Sequence, residues 1–176
     1  MKILYLPNEY SQQRQREKKR WIYPVLLAME AQSRIQQGHE VVWDKPGTPA
    51  DKIVTEPEGL PFLSLPWPDR AATNAFDKKY QENGNFKYRP GTYIQAASGC
   101  WHGRCTFCVE RFNKWQVRRP LDVYNEILYC KWIGFKEIFD DSGTFPTGPW
   151  LDEFLSFPPP GVTLGCNMRM LSLIHI

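Results

Sequence analysis

The apolar positions fall into short runs between polar loops, and their spacing switches along the chain between that of strands and that of helices. Lys2-Ile3-Leu4-Tyr5-Leu6 is an apolar run stopped by Pro7, which predicts a buried strand. Pro24 suits a first helical turn, Val25, Ala28, Met29, Gln32 and Ile35 recur at helical spacing, and Gly38 is placed to end the helix. His39 to Asp44 then predicts a second strand. Strand, helix and strand of this length make a right-handed crossover with parallel strands, a small Rossmann-like unit. Residues 45–70 are proline-rich, with Leu60-Pro61-Phe62-Leu63-Ser64-Leu65-Pro66 expected as a third strand at the sheet edge, where proline is tolerated. Residues 71–91 turn polar, and Asn83-Gly84-Asn85 and Pro90-Gly91 are turn signals. The reading is an α/β unit over 1–80, a linker over 81–91 and a second unit from residue 92.

The second unit repeats the alternation. Thr92 to Ala97 predicts a strand running directly into a long loop that ends near Arg118. Pro120 opens a helix with Val123, Ile127 and Cys130 on one face, which makes Cys130 a small core residue, and Gly134 closes it. Glu137 to Phe139 predicts a strand ending in Asp140-Asp141-Ser142-Gly143-Thr144. A short helix over Trp150 to Phe157 and a strand over Val162 to Cys166 follow. Alternating strands and helices give an α/β class with parallel strands, in which chemistry collects at the carboxyl ends of the strands. The long loop and the Asp140–Thr144 turn both lie there.

That loop carries Cys100, Cys105 and Cys108, three of the five cysteines of the chain. Soft thiolates so close together suit an iron–sulfur cluster or zinc. A structural zinc ion wants four protein ligands, and only His102 or the distant Cys130 and Cys166 could add one. Three cysteines alone suit a cubane cluster with one iron left open. An electron-transfer cluster, which normally takes a fourth cysteine, and a zinc-stabilised module that binds protein or nucleic acid are the alternatives.

Composition narrows the partners. The 176 residues allow one domain or one and a half, and 42% apolar with 23% charged residues excludes a disordered chain. The net charge of +3 is small, and the run Arg14, Arg16, Lys18, Lys19, Arg20 reads as a solvated face, so nucleic acid is not expected as a partner. No apolar run approaches the ~20 residues that span a bilayer. The amino terminus lacks a signal-peptide pattern, and five cysteines are an odd number for a disulfide framework, so a cytoplasmic location with no membrane partner is expected. Residues 7–23 contain no glycine, so the first unit lacks a dinucleotide-binding turn. Asp44 accordingly reads as a cap and His39 as a packed or surface residue.

The stretch Ser98-Gly99-Cys100-Trp101-His102-Gly103-Arg104-Cys105-Thr106-Phe107-Cys108 resembles the cluster-binding loop of the radical S-adenosylmethionine superfamily. The usual spacing there is Cys-x3-Cys-x2-Cys with an aromatic before the last cysteine, here Phe107; this chain has one residue more, through Trp101-His102-Gly103-Arg104. Val117-Arg118-Arg119-Pro120 with Val123, Glu126 and Ile127, the strand ending at Asp140-Asp141, and Asn167-Met168-Arg169 also resemble that group, over about residues 92–170. The resemblance implies the first three βα units of a partial triosephosphate-isomerase-type barrel, with a [4Fe-4S] cluster on Cys100, Cys105 and Cys108 that binds and cleaves S-adenosylmethionine. It implies Phe107 near the adenine, Asp140, Asp141, Ser142 and Thr144 near the methionine amino group, and a flavodoxin or ferredoxin as reductant. No catalytic residue and no substrate are assigned. The first unit resembles a shortened cobalamin-binding domain through Gly38-His39-Glu40-Val41, but the axial-histidine motif is missing and bound cobalamin is not expected. Residues 171–176, Leu-Ser-Leu-Ile-His-Ile, match the translation of a sequencing-library adapter, so a truncated chain, inactive alone, is expected.

Overall fold

A computed structural model describes residues 1–7, 23–84 and 86–168. The basic run at Arg14–Arg20, Arg169 and the tail 171–176 lie outside the described residues. The chain divides into two compact units, Met1–Asn85 and Phe86–Ile176.

In the first unit β1 (Lys2–Tyr5), β2 (Glu40–Trp43) and β3 (Lys52–Val54) form a parallel sheet in the order β2-β1-β3. Central β1 is apolar because both its faces and both its edges are covered: Ile3, Leu4 and Tyr5 are all buried. Helix α1 (Val25–Gln36) buries Val25, Ala28 and Met29 as their spacing requires, and Gly38, at φ +82°, ends it. Ile35 departs from the expected stripe and is exposed. Glu30, in contrast, is buried, its carboxylate accepting the backbone N–H of Glu58 and Leu60.

The expected strand over Leu60–Pro66 does not form. Phe62–Ser64 is a single 3-10 turn, because Pro61 and Pro66 remove two ladder donors and the Leu65 N–H turns back to the Phe62 carbonyl. Its place beside β1 is taken by β3, and the ladder runs on from Leu6 N–H to the Val54 carbonyl. The polar stretch after residue 71 contains a further helix, α2 (Lys78–Asn83), capped by the Asp77 side chain. Its Lys79 is ion-paired with Asp44, which sits in the left-handed region at φ 50°.

In the second unit β4 (Gly91–Ile94), β7 (Glu137–Asp140) and β8 (Thr163–Cys166) form a parallel sheet in the order β4-β7-β8, with Ile94, Asp140 and Cys166 in register at their carboxyl ends. The expected strand over Thr92–Ala97 is broken at Gln95–Ala96, where the Ala96 N–H leaves the ladder for the Asp140 carboxylate. Beyond the break, β5 (Ala97–Ser98) pairs antiparallel with β6 (Gln116–Val117). Helices α3 (Pro120–Trp132) and α4 (Pro149–Ser156) complete the unit. The α3 face of Val123, Ile127 and Cys130 is buried, and Gly134, at φ +110°, follows the helix. Among the described residues no helix is long and apolar enough to cross a membrane.

Arg118 joins the parts of this unit. Its N–H donates to the Ala96 carbonyl, its guanidinium to the Gln95 carbonyl at 3.1 Å and to Glu126 of α3 at 2.6 Å, and its own carbonyl accepts the Trp150 indole N–H from α4 at 2.7 Å. Both charged side chains are buried. Removing one partner of a buried pair strands the other charge, at a cost of about 3–5 kcal/mol. Glu126→Ala is therefore expected to lower the unfolding free energy by about that much, and the double change Arg118→Met with Glu126→Leu by less; urea denaturation followed by tryptophan fluorescence measures both.

Candidate functional site

The cysteine loop is closed at its base. Ala97 faces Val117 and Ser98 faces Gln116 in the β5–β6 ribbon, so residues 99–115 project from two adjacent rungs. Gly99 sits at φ +75°, and a Cβ there would lie 2.7 Å from the Asn113 and Lys114 carbonyl oxygens. Only glycine lets the two arms of the loop approach this closely while turning left-handed.

Within the loop, Cys105 and Cys108 are the ends of a turn over Thr106 and Phe107, closed by the Cys108 N–H donating to the Cys105 carbonyl at 3.2 Å. Cys108 then leads into the 3-10 turn Val109–Phe112, and its carbonyl accepts the Arg111 N–H. Cys100 lies on the other arm, before Gly103 at φ +55°. All three thiols are free and half-buried, whereas Cys130 is fully buried. Among the described residues no group of three or more His, Cys, Asp or Glu side chains stands gathered as a metal site. Phe107 is 90% exposed, so its ring has no packing role.

The turn after β7 packs against this loop. A Cβ on Gly143 would lie 3.0 Å from the Gly99 carbonyl oxygen and 3.0 Å from Glu110 Cγ, which makes the pair of glycines a contact point between the two segments. Asp140 braces the junction. One carboxylate oxygen accepts the Ala96 N–H at 2.7 Å and the other the Ser142 N–H at 3.0 Å, while Ser142 Oγ accepts the Ala97 N–H at 2.8 Å. Both residues are buried, so Asp140 and Ser142 serve the backbone. Burial pushes the Asp140 carboxyl up to about 6, against the opposing effect of these hydrogen bonds.

Asp141 differs. Desolvation, followed by the nearby Glu110 charge, pushes its carboxyl up to about 6, although the residue as a whole is exposed and solvent screens part of the repulsion. Thr144 is buried, with its Oγ1 lacking a hydrogen-bond partner. The sequence-predicted residues thus separate by position: Asp140 and Ser142 act as struts, while Asp141, Thr144 Oγ1 and Phe107 keep uncommitted groups.

Two features escaped sequence reasoning. The β5–β6 ribbon is too short for periodicity to reveal. An apolar cavity of about 240 Å³ lies at the carboxyl end of the sheet, among Ile94, Ile138, Phe154 and Leu164, with Asp140 and Cys166 in its wall. Burial, and then the Asp140 charge, push the Cys166 thiol up. The alternation of Ile94, Ile138 and Leu164 on one sheet face was the available signal. Compared with protein-family models, with curated proteins and with solved structures, the chain matches none.

Two predictions follow from this geometry. Gly99→Ala forces a Cβ against two carbonyl oxygens from a left-handed backbone that costs roughly 1–2 kcal/mol for an alanine alone, so a loss of at least that size is expected on chemical denaturation. Asp141 holds its proton more tightly folded than unfolded; its contribution is therefore most favourable below the ordinary carboxylate range and declines as pH rises through about 6. Asp141→Asn should raise the urea midpoint at pH 7 and leave it nearly unchanged at pH 4.

Proposed function

We propose that the Phe86–Met168 region is the cofactor-loop portion of a radical S-adenosylmethionine enzyme, the first βα units of a barrel carrying a [4Fe-4S] cluster on Cys100, Cys105 and Cys108. The observation that carries this reading is the placement of three free, half-buried thiols on one loop at the carboxyl end of a parallel sheet, against the turn that follows the next strand. The donor chemistry supports the reading, three soft thiols on a loop whose two arms Gly99 lets approach, and the thiols, which are not gathered among the described residues, would converge on binding the group.

When bound, such a cluster supplies a reducing electron and an open coordination position for the amino and carboxylate groups of S-adenosylmethionine. The chain's own side chains do the positioning. Asp141 offers a carboxylate to the ammonium group, a charge-assisted contact. Thr144 Oγ1 has hydrogen-bonding capacity to give, and Phe107 presents a free face for a purine ring. Asp140, Ser142 and Arg118 keep the two segments in register, and the apolar surroundings of the sheet end limit water. A cytoplasmic location and a flavodoxin or ferredoxin as reductant belong to the same proposal.

Anaerobic reconstitution with iron and sulfide tests it. The expected result is about four irons per chain with a reduced-state electron paramagnetic resonance signal that changes when S-adenosylmethionine is added. Cys100→Ser, Cys105→Ser and Cys108→Ser should each abolish stable loading, and Cys130→Ser should not. Zinc bound in preference to iron would sink the proposal in favour of a zinc-stabilised module, and a cluster signal indifferent to S-adenosylmethionine would assign the loop to plain electron transfer.

A further inference from the structure

We propose that Cys105 and Cys108 form a reversible redox pair, a disulfide made by hydrogen peroxide or an organic hydroperoxide, which withdraws two of the three loop donors and so gates metal loading. The disulfide stands on the geometry of the turn; only its role as a gate rests on the cluster reading above.

The geometry singles out this pair among the five cysteines. Cys105 and Cys108 are the first and last residues of a hydrogen-bonded turn, with Cys108 N–H to Cys105 carbonyl at 3.2 Å. A β-turn keeps its end Cα atoms within about 7 Å. A disulfide spans a Cα separation of about 4.4–6.8 Å, so the turn holds the two cysteines at about the separation one needs. Both thiols are half-buried, which leaves them open to a small oxidant. One end of the turn is also anchored, through the Arg111 N–H to the Cys108 carbonyl, so the pair meets at low entropic cost.

The other thiols are less well placed. Among the described residues no backbone hydrogen bond joins Cys100 to Cys105, and Gly103 turns the chain left-handed between them. Cys130 is buried in α3 and out of reach of oxidant. Cys166 ends β8, where burial and the Asp140 charge hold its thiol up and so disfavour the reactive thiolate.

The step balances. The sulfur of one cysteine attacks the peroxide O–O bond, giving a sulfenic acid and one water, or an alcohol from an organic hydroperoxide. The second sulfur attacks the sulfenic sulfur, the S–S bond forms, and a second water leaves. Two thiols lose two protons and two electrons, and the peroxide is reduced. Thiol reductants reverse the change by exchange through a mixed disulfide.

The test uses the full reduced chain without metal, treated with one equivalent of hydrogen peroxide. The expected result is a fall from five maleimide-reactive thiols in the denatured protein to three, with Cys105 and Cys108 joined in the peptide map. Dithiothreitol should restore all five. The map is read on the unaltered chain, so the outcome does not depend on a variant folding. A disulfide mapped to Cys100 or Cys166, a link between chains, or sulfinic acid without a disulfide overturns the pair assignment. Co²⁺ titration, followed by its thiolate charge-transfer absorption, reads the gate: binding by the reduced chain that is lost on oxidation and regained on reduction supports it, and equal binding in both states overturns it. If the reduced chain binds Co²⁺ but never assembles an iron–sulfur cluster, the functional proposal falls while the redox pair stands.

Discussion

The bifurcated role of the Asp140 carboxylate is the constraint on which the second unit depends. A single buried side chain accepts hydrogen bonds from Ala96, where the chain leaves β4, and from Ser142, where it leaves β7. Ser142 returns the link by accepting from Ala97. Strand ends normally fray into independent loops; here two of them are tied to one another, and the position of everything that grows from them follows. A carboxylate suits the task because its two oxygens accept in different directions. An amide would present a donor to one of the two N–H groups.

Arg118 extends that tie outward. It accepts α4 through its carbonyl, holds Glu126 of α3 through its guanidinium and bonds to both Gln95 and Ala96. Buried ion pairs contribute little net stability against a well-packed apolar alternative, but they discriminate between registers, since a shifted helix leaves both charges unpaired. Beyond the ribbon, the cysteine loop meets the turn after β7 at Gly99 and Glu110. Glu110 and Gly143 then set where it leans.

Much of the fold was legible in the sequence because its signals are local. Helices α1 and α3 have apolar positions at helical spacing and are followed by Gly38 and Gly134, the buried strand β1 is a short apolar run, and β7 is centred on Ile138 and Phe139. Leu60–Pro66 reads as an edge strand because an edge tolerates proline, while the missing N–H groups matter only once a partner strand exists; β1 takes Lys52–Val54 instead. Ile35 keeps the helical spacing but lies one turn beyond Ala31, the last buried residue of α1. At the candidate site the cysteines announced themselves by spacing. The division of labour between Asp140 and Asp141 could not be read, because adjacent aspartates are equivalent in a sequence and differ only by which side of the strand each faces.

The two-rung β5–β6 ribbon has a thermodynamic consequence for the loop above it. A loop held by a two-rung base and one contact with the next turn keeps part of its conformational freedom, and a ligand that ordered it would meet that entropy at the moment of binding. Because Asp140 and Arg118 both bond to Ala96 at the foot of the ribbon, a ligand that bound the loop in the folded state alone would stabilise the whole unit by mass action. On the cluster proposal, the melting temperature would rise with loading of the loop.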